Sequence, residues 1–96
     1  MWYLTDQVSV REFEKKGYPI MATDPITFRL MLETIPWECY FKSKIAAQLV
    51  SSYLKIEVKA NNKPLPELKE GDMLSIYEFE RVDYDEIAIY CYTVLI

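Results

Sequence analysis

Between Ser43 and Asn61 the apolar pattern changes its period, and that change constrains the fold more than any other feature of the chain. Ile45, Ala46, Leu49, Val50, Tyr53 and Leu54 recur at three-and-four spacing, the pattern of a helix with one face on a core. Lys55-Ile56-Glu57-Val58-Lys59 then alternates with period two, which predicts a half-buried strand, and Asn61-Asn62-Lys63-Pro64 breaks it. A helix stripe feeding a strand calls for a layered molecule, so the expected class is α/β in the broad sense (α+β).

The remaining segments extend that reading. Trp2–Thr5 is aromatic and β-prone, a first strand with Val8–Val10 as its candidate continuation, which leaves Asp6 at a strand end, facing a cleft or serving as a turn residue. Arg11–Lys16, ending at Gly17, reads as a solvated turn or a short helix, and Tyr18–Ala22 as a second strand. Asp24 as a cap and Pro25 in the first turn open a helix with the stripe Ile26, Leu30 and Ile35, closed by Pro36. Trp37–Phe41 reads as an aromatic connector, buried or turned toward a partner. A charged turn around Gly71 precedes a strand over Met73–Glu80, Asp83–Glu86 interrupts, and Ile87–Ile96 is a near-continuous β-branched and aromatic run. Such a run marks a strand covered on both faces, inside the sheet or paired across a dimer interface. The expectation is one domain over residues 1–96: a small mixed sheet of about five strands packed with two main helices.

Composition removes several function classes. Half the residues are apolar, enough for a core without a metal or a disulfide framework, and two glycines cannot build a glycine-rich phosphate loop. A formal charge of −4 works against long-range attraction to a nucleic-acid backbone or an anionic membrane. A small dimeric DNA-binding protein would need a basic face from Lys42, Lys44, Lys55, Lys59 and Lys63. No apolar run is long enough to span a bilayer, and the opening residues lack a signal-peptide pattern, so a soluble, intracellular protein is expected. Cys39 and Cys91 have no CxxC spacing and no histidine beside them, so no metal and no cofactor are expected; they read as buried thiols, with a disulfide as the alternative.

Ala46-Ala47-Gln48-Leu49-Val50-Ser51-Ser52-Tyr53-Leu54, then Ile56-Glu57-Val58, then Asn61 and the Gly71-Asp72 turn, together with Trp2-Tyr3-Leu4-Thr5-Asp6 and Ile26-Thr27, occur in a familiar order. Over most of its length the chain resembles the archaeal-virus and phage family of anti-CRISPR ring nucleases, which bind and cut cyclic tetra-adenylate. In that family Ile-Gly-His leads into the second helix, and the histidine acts on the leaving oxygen as a ribose 2′-hydroxyl attacks the neighbouring phosphate. Phe41-Lys42-Ser43 stand there in this sequence, which contains no histidine. Serine cannot serve as a general acid near neutral pH, and lysine would need a strongly lowered pKa.

The resemblance therefore implies a divergent member with no catalytic residue and a set of candidate ligand-binding residues. Lys42 and Ser43 would present a helix N-terminus to a phosphate, or act as a solvated side chain and a plain cap. Asp6 stands where the family commonly has asparagine. Asn61 would read an adenine or ribose edge, or simply end a strand. Arg81 lies one residue from the register of a family arginine, before Val82-Asp83-Tyr84-Asp85, which is more acidic than the family's Leu-Pro-Glu-Gly loop. The implied function is that of a small viral protein of the host cytoplasm, a homodimer, that counteracts CRISPR defence without catalysis by binding a cyclic oligoadenylate or a defence protein. Docking on a basic nucleic-acid-handling protein is favoured by the acidic balance and by the aromatics, with Tyr40, Tyr84, Tyr90 and Tyr92 as candidates. The alternatives are an active ring nuclease that relies on positioning alone, and the DNA-binding dimer.

Overall fold

The computed structural model describes residues 1–22 and 24–96. Its elements run β1 (Trp2–Thr5), α1 (Val10–Lys15), β2 (Ile20–Ala22), α2 (Pro25–Thr34), β3 (Trp37–Tyr40), α3 (Lys44–Leu54), β4 (Met73–Arg81) and β5 (Ile87–Leu95). The five strands form one mixed sheet in the order β2-β5-β4-β1-β3. β1 is parallel to both β3 and β4, whereas β5 is antiparallel to β4 and β2. The α+β class and the five-strand sheet expected from sequence are thus observed, with a third, short helix added.

Each helix begins where a polar side chain takes up a free backbone donor. Ser9, Asp24 and Ser43 accept the N–H groups of Arg11, Thr27 and Ala46. Ser9 is thereby withdrawn from the sheet, so Val8–Val10 does not continue β1. Asp24 also accepts the Thr27 hydroxyl, and the two contacts, the N–H foremost, hold its carboxyl below the ordinary value. At the start of β4, Gly71 supplies the left-handed turn (φ 94°) expected before a strand.

The sheet is covered on both faces. On one side α2 and α3 pack Phe28, Leu32, Ala46, Ala47, Val50 and Leu54 against Trp2, Leu4 and Tyr77; on the other, Phe13 of α1 covers Leu74, Ile76 and Val94. Trp2 sits edge-on to Phe28 with ring centroids 4.9 Å apart. Its indole N–H donates to Ser75 Oγ at 2.8 Å, and Ser75 Oγ lies 2.8 Å from Thr93 Oγ1. Three buried polar groups therefore satisfy one another across three strands, which removes the cost of burying them singly.

The predicted stripe of α3 holds at Ala46, Val50 and Leu54 but not at Ile45, and in α2 the core face is not the predicted one. Ile26 and Leu30 of α2 are 75% and 60% exposed, and Ile45 of α3 is 70% exposed. α2 is apolar on two faces, and the face carrying the larger Phe28 takes the core. In α3 the paired alanines replace Ile45 in the interface, since small side chains allow a helix close to a sheet.

Two further segments depart from expectation. Trp37–Tyr40 is not a connector but the edge strand β3, paired with all of β1. Lys55–Lys59 is not a strand: among the described residues its stretch contributes only the isolated bridge Phe41↔Ala60 just beyond it. Lys55 turns left-handed (φ 57°) at the end of α3, and the chain folds back along the helix. There Ser51 Oγ accepts the Val58 N–H at 2.8 Å and lies 3.0 Å from Val58 O, taking the bonds a ladder would have made. Alternation reports one-sided burial, and Val58 achieves that against the helix instead of within the sheet. The terminal run lies inside the sheet, as β5, where β2 and β4 flank Tyr92, Thr93 and Val94; nearer its start Ile87 and Tyr90 are exposed. Among the described residues no helix is long and apolar enough to cross a membrane.

Candidate functional site

Where parallel strands end and a helix begins, backbone donors and strand-end side chains converge, and open α/β sheets place ligands there. Here that corner lies at the C-terminal ends of β1 and β3 and the start of α3. Thr5 Oγ1 donates to Tyr40 O at 2.8 Å and accepts the Gln7 N–H at 3.0 Å, which fixes the turn after β1. The turn aims Asp6 at α3, and its two carboxylate oxygens accept the N–H groups of Lys42 and Ser43 at 2.9 and 3.1 Å. Ser43 Oγ accepts from Ala46 N at 3.1 Å. Two of the N–H donors at this helix entrance are therefore held by the chain's own carboxylate, and a phosphate brought to them meets a like charge at contact distance.

Asn61 belongs to the same corner but faces inward in its bonding. Its Nδ2 donates to Cys39 O at 2.8 Å, and its Oδ1 accepts the Lys63 N–H at 3.3 Å, so both ends of the amide brace the turn after the α3 connector. Gln7, which was not among the candidates read from sequence, does the rest of the bracing. Its Nε2 donates to Lys63 O at 2.7 Å and Tyr40 O at 3.0 Å, and its Oε1 accepts from Leu65 N at 3.3 Å. The one signal that could have singled it out is the run of three polar residues, Thr5-Asp6-Gln7, that closes the first strand and follows it.

Asp6, Lys42, Ser43 and Asn61 are thus brought together, and Arg81 is not. Thr5 pairs with Ile76, and Arg81 lies five residues farther along β4, about 17 Å away at the usual strand rise. The chemistry on offer in the corner is one carboxylate, hydroxyls and the exposed Lys42 ammonium, with no imidazole to protonate a leaving oxygen.

A second concave region lies on the opposite side of the hairpin. A groove of about 590 Å³ separates α1 from the far halves of β4 and β5, between Val10, Arg11 and Glu14 on one wall and Glu78, Glu80 and Tyr90 on the other. The Tyr90 hydroxyl donates to Glu80 Oε2 at 3.3 Å, and the neighbouring Glu80 carboxylate raises its pKa. Of the tyrosines expected to meet a partner, Tyr84 and Tyr90 are exposed, whereas Tyr40 and Tyr92 are half-buried.

The other candidates do not assemble. Cys39 and Cys91 are free. They lie on β3 and β5, three strand spacings or about 14 Å apart, beyond the reach of a disulfide within the chain. Burial pushes the Cys91 thiol up to about 11, which makes it a poor nucleophile at neutral pH. The Tyr77 hydroxyl, raised by burial first and by the nearby Cys91 second, has no hydrogen-bond partner among the described residues. No cluster of potential metal ligands occurs among the described residues. The lysines of the proposed basic face are dispersed: Lys44 and Lys55 flank α3 about 16 Å apart, and Lys59 pairs with Glu57 at 3.5 Å.

In fold the chain is similar to B116 of Sulfolobus turreted icosahedral virus (STIV), with a TM-score of 0.70 over 99% of this chain and 98% of that one, at 19% sequence identity. At that identity the likeness establishes a shared fold. No family model matches the chain, and no curated protein does.

Proposed function

We propose that the chain is a small viral counter-defence protein on a ring-nuclease-like scaffold that acts without catalysis, by docking on a protein of the host's CRISPR defence in the cytoplasm. The observation that carries this reading is the Asp6 carboxylate seated on the Lys42 and Ser43 N–H groups. It occupies two N–H groups that the resemblance in sequence assigns to a nucleotide phosphate, and the sequence offers no histidine to act as general acid beside it. The fold shared with a Sulfolobus virus protein supports the viral origin. A homodimer is part of the same reading.

A second reading is sequestration of a cyclic oligoadenylate without cleavage. It is favoured by the gathering of Lys42, Ser43 and Asn61 at one helix entrance, and it requires Asp6 to swing aside. Arg81, at the far end of β4, has no part in that corner.

Labelled cyclic tetra-adenylate, followed for both retention and product, tests these readings. The native protein is expected to give neither, and Asp6→Asn to gain about tenfold or more in retention, still without product, as the like charge is removed. Product from the native protein would overturn the non-catalytic reading. Tight retention by the native protein would replace docking with sequestration. In capture from host lysate, recovery of a CRISPR effector subunit is the outcome expected for docking.

A further inference from the structure

The strongest unused feature is the far half of the β4–β5 hairpin. β1 leaves β4 at Ile76, and β2 leaves β5 at Tyr92, yet the two strands continue together to Arg81 and Ile87. In an antiparallel strand the backbone groups of alternate residues point to alternate sides. Leu95 N donates to Pro19 O on the β2 side, so Ile87 and Ile89 turn their N–H and C=O groups to that side as well. Among the described residues no strand pairs with them there. On the β4 side the segment after β1 stays near the hairpin, with Ser9 Oγ 3.5 Å from Glu78 Oε1.

Charge says what could occupy the open edge. From Glu78 to Glu86 the hairpin carries five carboxylates against the single Arg81, a net −4 equal to the formal charge of the whole chain. The rest of the protein is neutral by comparison, so the acidity is concentrated at this end. It is accompanied by exposed apolar side chains: Tyr84 at 89%, Val82 at 63%, Ile87 at 42% and Tyr90 at 41%. The groove bordered by Glu78, Glu80 and Tyr90 lies beside the edge, where alternate side chains of an added strand would fall.

We propose that the β5 edge at Ile87–Ile89, with the acidic groove beside it, accepts an extended lysine- or arginine-bearing segment of a partner protein as an added strand. This rests on the docking reading above and names the surface and the partner's chemistry. Main-chain bonds to the edge supply affinity, and the carboxylates select basic side chains. A second copy of this chain fits poorly, since self-pairing about Ile89 would set two such acidic hairpins against each other.

The test is an amide NMR titration of the full chain with a short peptide of alternating lysine and valine, and with its glutamate-for-lysine counterpart. The lysine peptide is expected to shift the amides of Ile87 and Ile89 and their neighbours, and the glutamate peptide to shift nothing. Glu80→Lys combined with Glu86→Lys is expected to weaken binding about tenfold or more. Ile89→Pro, which deletes an outward N–H, is expected to abolish it; should that variant misfold, the surface charge reversal still decides. Equal response to both peptides, shifts confined elsewhere, or indifference to charge reversal would overturn the proposal. So would concentration-dependent shifts of these amides without peptide, which would identify a second copy as the occupant. If charge reversal spares capture of an effector subunit and the peptide does not bind, this inference falls while docking stands. Peptide binding with no effector subunit captured leaves the edge standing and removes the proposed target.

Discussion

The corner at the start of α3 and the far half of the β4–β5 hairpin are both polar regions at strand ends, and they differ in where their polar groups are spent. In the corner, Thr5, Asp6, Gln7, Ser43 and Asn61 each bond to a backbone group of the same chain. In the hairpin, five carboxylates accompany one guanidinium, and among the described residues an edge of the sheet has no strand beside it. Satisfied groups hold a fold, and unsatisfied ones are capacity for recognition. In the corner a single side chain, Asp6, takes up two backbone donors at once.

The largest effect that tests this division is on stability. Trp2→Ala removes a buried aromatic from the Phe28 contact and leaves Ser75 and Thr93 with one donor fewer, so it is expected to cost about 3–5 kcal/mol in denaturant unfolding. Tyr84→Ala, at the hairpin tip, is expected to stay within about 0.5 kcal/mol. Comparable losses in the two variants would mean that the hairpin is part of the packed body after all.

A middle-sized effect is expected from Ser51→Ala, which strips the buried Val58 N–H of its acceptor. The expected cost is about 1–3 kcal/mol, with faster hydrogen exchange at Val58. The native protein itself should show slow exchange at Leu74 and Ile76 and much faster exchange at Ile87 and Ile89. Uniform protection along β5 would break the contrast between the two regions.

The same contrast explains what the sequence could reveal. Signals that act within a few residues were readable: the caps Asp24 and Ser43, the long apolar run of β5, and the period of α3. What depended on distant partners was not. Trp37–Tyr40 is short and aromatic, and only the register with β1 makes it a strand. Lys55–Lys59 alternates as a strand does, yet Ser51 claims its backbone. The proximity of β1 and β3 follows from their order in the sheet; of the corner's residues, Asp6, Lys42, Ser43 and Asn61 were named from sequence whereas Thr5 and Gln7 were not. Their state was not legible, because Asp6 reaches across 36 residues to Lys42 and no local pattern announces that bond. The edge of β5 at Ile87–Ile89 was equally hidden, since it depends on how far β2 runs beside β5 and, among the described residues, that pairing covers Tyr92–Val94.

The smallest effect concerns acid. Asp72 accepts the Lys69 N–H at 2.8 Å and the N-terminal ammonium at 2.9 Å, and these contacts, the N–H foremost, hold its carboxyl below the ordinary value of 3.8. Asp24 is lowered in the same way by Thr27. A carboxyl whose pKa is lower in the folded than in the unfolded chain adds stability that is complete above the unfolded value and is lost as pH falls through the folded one. Native Tm is therefore expected to drop below about pH 4. Asp72→Asn and Asp24→Asn should each lower Tm at neutral pH and each fall less steeply in acid, converging with the native curve at its lowest point. Both carboxyls serve the packed body, at the start of β4 and of α2, so the acid loss should appear in probes of the core. Parallel Tm curves for native and variants would show that these bonds contribute nothing, and that acid acts on the molecule through some other group.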